Sequence, residues 1–124
     1  MEMTLKQIKE IPHNVFEQDD VRVVLNPVYD EEVWGVYFPE IKLIELNILD
    51  EEGLVLDHDL LVKTICHELA HHIQYKIYKP KSSKAHDEKF QALLWQLLGM
   101  YYEGKIPEKV AKLVEEEQEG LFYD

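Results

Sequence analysis

Only one cysteine occurs in the 124 residues, Cys66, so no intrachain disulfide can form and a reducing, cytoplasmic setting is expected. Positive charge is scarce too. Thirteen Lys and Arg stand against 25 Asp and Glu, a net charge of −12. A chain that neutralises phosphates needs the reverse balance, so autonomous nucleic-acid binding is not expected. No apolar run approaches the roughly 20 residues that span a bilayer. Met1 to Glu10 has no apolar core of the signal-peptide kind, and no membrane association is expected. Repeats, low-complexity stretches and a second compositional region are also missing. What remains is an ordinary globular composition, 46% hydrophobic and 31% charged. It predicts a single domain over 1–124 that buries a core without staples, taken as a monomer. The acidic clusters Asp19-Asp20, Asp30-Glu31-Glu32, Asp50-Glu51-Glu52 and Glu115-Glu116-Glu117 read as solvated turns and a solvated helix face.

The apolar periods place the elements. Thr4 to Ile11 predicts a short helix ended by Pro12. Three runs of β type follow: Val21 to Leu25, stopping at Asn26-Pro27; Val33 to Phe38; and Ile41 to Leu46, where apolar and charged residues alternate. They predict a small antiparallel or mixed sheet. Pro39-Glu40 lacks tight-hairpin chemistry, which points to a looser turn or a bulge. Gly35 inside a strand marks a bulge or a close backbone approach. From about Asp59 to Tyr78, Leu61, Val62, Ile65, Leu69, Ile73 and Ile77 recur at helical spacing, with Asp57 or Asp59 as the cap. A second helix from about His86 to Tyr102 turns Phe90, Leu93, Leu94, Leu97 and Leu98 inward, and Gly104 closes it. Pro107 opens a last helix with the stripe Val110, Leu113, Val114. The fold class is α+β, a three-stranded sheet packed on a long helix with a second core helix and a short C-terminal one.

The long helix carries the chemistry. His67-Glu68-Leu69-Ala70-His71 is a His-Glu-x-x-His pattern, and residues four apart lie on one face with Cβ atoms roughly 6 Å apart. His67 and His71 can therefore reach one ion, while Glu68 projects about 100° round the helix towards a water on it. Cys66 is turned away and reads as a packing residue. His72 is rotated off the ligand line and reads as a supporting or surface residue. A catalytic zinc takes three protein ligands and keeps one position for water. The best third is His86: if Phe90 anchors the second helix on the first, His86 lies four residues before it on the same side. Asp87 and Glu88 are rivals, although an acidic residue in a first turn also serves the helix dipole. A tyrosine, Tyr75, Tyr78, Tyr101 or Tyr102, is the candidate oxyanion partner. Lys76, Lys79, Lys81, Lys84 and Lys89 form a basic patch beside the site.

His67-Glu68-Leu69-Ala70-His71-His72 followed by His86-Asp87-Glu88-Lys89-Phe90 resembles the SprT-like and WLM group of zincin metallopeptidase domains, over roughly Val21 to Met100. The resemblance implies a zincin-like fold, a zinc ion (Zn2+) held by His67, His71 and His86, and Glu68 as general base. The implied activity is endopeptidase cleavage of a protein or peptide substrate. Small gluzincin-type peptidases share the first motif but use a glutamate as third ligand, and some are latent. That reading stays open, with the apolar tail Leu121 to Asp124 as the segment that would cap the cleft. A non-catalytic, zinc-stabilised binding module also stays open.

Overall fold

The computed structural model describes residues 4–78 and 87–118. Helix α1 (Leu5–Lys9) starts at Thr4. The Thr4 hydroxyl accepts the Gln7 N–H at 3.2 Å, and the Gln7 side chain accepts the Thr4 N–H at 2.8 Å, a reciprocal cap. Pro12 does not end the helical segment as expected. It lies in the first turn of a second short helix, α2 (Ile11–Asn14), where its missing N–H costs nothing. Ile8 and Ile11 drop from these turns into the core.

Strands β1 (Arg22–Tyr29), β2 (Gly35–Phe38) and β3 (Leu43–Leu49) lie in the order β1-β3-β2. The sheet is mixed, because β1 runs parallel to β3 and β2 antiparallel to it. Two strands outrun their predicted limits. β1 continues through Asn26-Pro27 to Tyr29, with a register shift between Asn26 and Tyr29. An edge strand tolerates Pro27, since its N–H need not join a ladder. β3 begins two residues later than the alternation suggests and runs on to Leu49, burying Leu43, Ile44, Leu46 and Ile48. The β2–β3 connection is the looser kind: Phe38 pairs with Leu43 across residues 39–42, with Lys42 at φ 51°.

Helix α3 (His58–Tyr78) is the element the others are packed around, in contact with β2, β3, α4 (Glu88–Tyr101) and α5 (Glu108–Gln118). Leu61, Val62, Ile65, Cys66, Leu69 and Ala70 are buried along it. Each fully buried Leu, Ile or Val contributes roughly 1.5–3 kcal/mol. Ile77 departs from the predicted stripe: it is 72% exposed, past the end of the core. Phe90, Leu94, Leu97 and Leu98 of α4 and Val110 and Val114 of α5 complete the interior. Glu103 and Gly104, both at positive φ, end the α4 segment, and the Gly104 N–H reaches the Gly99 carbonyl at 2.8 Å. Among the described residues, no helix is long and apolar enough to cross a membrane.

Candidate metal centre

His67, Glu68 and His71 lie in the middle of α3, between β2 on one side and α4 on the other. His67 is 7% exposed, Glu68 1%, and His71 is half-buried. The two imidazoles meet edge to face, 5.0 Å between ring centroids, as one helical turn requires. Phe90 packs on both, at 5.0 Å from His67 and 4.5 Å from His71. The second core helix is thus anchored on the motif helix through Phe90, as the periodicity predicts. On the opposite side Gly35 explains how the edge strand comes so near. A Cβ built there would lie 2.8 Å from Thr64 Cγ2, 3.0 Å from Leu46 Cδ2 and 3.2 Å from Glu68 Cγ. Of the two readings of a strand glycine, this is the close approach.

Helix α4 starts at Glu88, two residues later than expected. Asp87 is its cap, its side chain accepting the Phe90 N–H at 2.9 Å. That bond accounts for the residue type at 87, and Glu88 is exposed in the first turn. With the cap at Asp87, the argument that His86 shares a helix face with Phe90 no longer applies. His86 itself lies outside the described residues. Among the described residues, no three His, Cys, Asp or Glu side chains are grouped closely enough to hold a metal. His67 and His71, whose ring centroids are 5.0 Å apart, are the two candidate ligands among the described residues.

The neighbouring His72 has a different job. It is fully buried, with Tyr37 Oη 2.7 Å from Nδ1 and Asp20 Oδ1 2.9 Å from Nε2. Burial lowers its pKa, the Asp20 carboxylate only partly opposing this, so the ring is neutral at pH 7. The consistent assignment is Nε2–H donating to Asp20 and Nδ1 accepting from Tyr37. The hydrogen bond from His72, helped by Lys76, holds the Asp20 carboxyl down at about 2. Burial pushes the Tyr37 phenol up to about 12. Both ring nitrogens of His72 are committed within the fold, so it is a buried residue rather than a surface one. His13 is exposed and pairs with Asp19. His58 Nε2 lies 3.3 Å from Tyr101 Oη. Cys66 is fully buried, and desolvation raises its thiol to about 12, as suits a packing residue.

Two of the candidate tyrosines are placed away from the motif. Tyr101 lies against His58, and the Tyr102 hydroxyl donates to Asp59 at 2.6 Å, both at the first turn of α3. That is about two and a half turns from His67. Tyr75 is half-buried, and the Tyr78 side chain lies outside the described residues. Of the basic patch, Lys76 pairs with Asp20 at 3.1 Å and Lys89 is exposed. Lys79, Lys81 and Lys84 lie outside the described residues, as does the tail Leu121 to Asp124.

One acidic cluster is not what its composition suggests. Glu115 and Glu116 are solvated, but the Glu117 side chain is only 8% exposed. One of its oxygens pairs with the Lys63 ammonium, itself 2% exposed, and the other lies 3.2 Å from His67 Nδ1. Burial alone would raise the Glu117 carboxyl, yet His67 and Lys63 together hold it below the usual carboxylate range. Lys63 also stands over the Trp34 ring at 5.2 Å. Sequence reasoning missed Glu117, although a signal was present. Positions 110, 113, 114 and 117 lie on one helix stripe, so Glu117 continues the apolar face of α5.

No curated protein and no solved structure matches the chain. A family model does, that of the SprT-like family, over residues 4–111. The match takes in the sheet, the whole of α3, the capped start of α4 and the first turn of α5. A helix carrying His67 and His71, with Phe90 closing one flank and a strand held close by Gly35 on the other, sits at the centre of this span. The chain belongs to the SprT-like family.

Proposed function

We propose that the protein is a zinc-dependent metallopeptidase that cleaves internal peptide bonds of a protein or peptide substrate. The observation that carries this reading is the placement of buried His67 and Glu68 and half-buried His71 along one turn of α3, within a chain of the SprT-like family. His67 and His71 would hold the ion, with His86 as the third ligand. Zinc there would lower the pKa of a water and polarise the scissile carbonyl. Glu68 accepts the proton of the attacking water and passes it to the leaving amine. Glu68 is buried, with the backbone of β2 brought close to it at Gly35. β2 is an edge of the sheet, so an extended substrate can add to it by main-chain hydrogen bonds beside Glu68. Glu88, the rival third ligand, is exposed and sits at the first helical position of α4, which favours His86. We expect no autonomous duplex DNA binding, in keeping with the net charge of −12.

Metal analysis of the purified protein tests the reading. About one zinc per chain is expected, lost in His67→Ala, His71→Ala and His86→Ala and kept in Glu88→Ala. Zinc lost in Glu88→Ala but kept in His86→Ala would move the protein to a glutamate-ligand class. Glu68→Gln should keep its zinc and lose peptidase activity by ~10²-fold or more. Cleavage at the wild-type rate would make Glu68 structural.

A further inference from the structure

We infer that Glu117, on the last helix, is a positioning residue for the metal centre: its carboxylate turns the His67 ring so that Nδ1 keeps the proton and Nε2 is the ligating atom. The inference rests on the zinc reading above and adds a residue that no motif contains. Three observations carry it. The two oxygens of Glu117 are divided between Lys63 Nζ and His67 Nδ1. Lys63 and His67 are four residues apart on α3, so one carboxylate from α5 spans one turn of the motif helix. All three side chains are 8% exposed or less.

The energetics argue that this group is not there for stability. A buried ion pair gains little over a well-packed apolar pair of similar volume, and replacing one with the other is often neutral or stabilising. Val110 and Val114 already dock α5 by apolar contact. The property a hydrophobic substitute could not supply is a carboxylate oxygen 3.2 Å from one ring nitrogen. Histidines that bind metal through one nitrogen commonly present the other to a carboxylate, which sets the tautomer and raises ligand basicity. Lys63 holds one oxygen of that carboxylate and so aims the other, and Phe90 against the ring face limits the remaining rotation.

Glu117→Gln tests this, because Lys63 will claim the amide oxygen and turn the amide NH2 towards Nδ1. The metal-free protein should then show by nitrogen-15 NMR that His67 has moved its proton from Nδ1 to Nε2. Zinc affinity, measured by chelator competition, should fall by about 10–100-fold. Lys63→Met added to Glu117→Gln frees the amide to turn its oxygen towards His67, and both the Nδ1–H tautomer and much of the zinc affinity should return. Should Glu117→Gln not fold, Lys63→Met with Glu117→Leu keeps an apolar α3–α5 contact and should show the same two defects without rescue. An unchanged tautomer with unchanged affinity would overturn the inference and leave Glu117 as a tie between helices. Zinc binding abolished with the tautomer unchanged would overturn it in the other direction, making Glu117 a direct ligand. A wild-type protein that binds no zinc refutes the metal reading, while the tautomer measurement still decides what Glu117 does to His67.

Discussion

His67 and His72 are both buried on α3 and both face a carboxylate, yet the two sides of the helix use them differently. On the sheet side, His72 has one ring nitrogen on Tyr37 and the other on Asp20. It ties α3 to β2 and to the loop before β1, and it has no lone pair left to offer. On the helix side, His67 has Nδ1 3.2 Å from a Glu117 oxygen, with Phe90 and His71 against its ring. The same residue type thus serves as a structural clamp in one place and as a candidate ligand in the other. What separates them is the company each ring keeps: a phenol and a carboxylate on the two nitrogens of His72, a carboxylate and two aromatic rings around His67. Burial alone does not.

The largest expected effect exploits this contrast. His67→Ala should abolish zinc binding and leave a folded protein, whereas His72→Ala should keep the zinc stoichiometry and lose about 2–4 kcal/mol of stability. The cost in the second case combines a cavity with Tyr37 and Asp20 stripped of their partner. Metal analysis beside urea unfolding of both variants reads it, and a His72→Ala protein that is stable but metal-free would erase the distinction. Next in size is Gly35→Ala, which forces a methyl to within 2.8 Å of Thr64 Cγ2 and 3.2 Å of Glu68 Cγ. Overpacking of this kind costs about 1–3 kcal/mol. Because the pressure falls on Glu68 rather than on the ligands, peptidase activity should drop while zinc content does not.

The legible parts of this molecule are those in which a single period governs many residues. The α3 and α4 stripes and the apolar alternation of β3 follow from burial of one face. The resemblance carried by His67-Glu68-x-x-His71 and the segment from His86 to Phe90 led to the family that the match over residues 4–111 shows. The boundaries were less legible, for physical reasons. Pro12 marks a stop in isolation but is harmless in the first turn of a new helix, and Pro27 is harmless on an edge strand. Sequence periodicity also could not say which of Asp87 and Glu88 is the cap, and so moved the start of α4 by two residues. Least legible were the pairs that join distant segments. The α5 stripe sets Glu117 apart from the solvated Glu115 and Glu116, but nothing local tells that its partners are Lys63 and His67. Asp20 reads as a solvated acid until His72 is brought against it.

A smaller effect tests whether the two sides of α3 are independent of its first turn. Tyr102→Phe removes the hydroxyl that Asp59 accepts at 2.6 Å. The expected loss is about 1 kcal/mol in thermal or urea unfolding, with zinc content and activity unchanged. A change in either would show that the clamp at the start of α3 reaches the ligand pair.

The smallest effect belongs to the acid limb of the sheet side. Asp20 has its carboxyl held at about 2 by the His72 hydrogen bond, against 3.8 as the ordinary value. A carboxyl lowered by folding binds fewer protons in the native state than in the unfolded one. Its contribution is therefore complete above about pH 4 and disappears as the pH falls towards 2. The His72 pKa is itself lowered by burial, so its contribution likewise begins to fall once the pH drops below its ordinary value of 6.5. Asp20→Asn separates the two. The amide oxygen still accepts the His72 N–H, so the loss that begins below 6.5 remains, but position 20 no longer titrates. The difference in stability between wild type and Asp20→Asn should shrink as the pH falls from about 4 towards 2. The Asp20 side chain is 37% exposed, which screens the gain and makes this the weakest of the effects. Unfolding measured across that range decides it. A difference that stays constant down to pH 2 would mean that Asp20 gains nothing from His72, and that Tyr37 alone holds the buried ring.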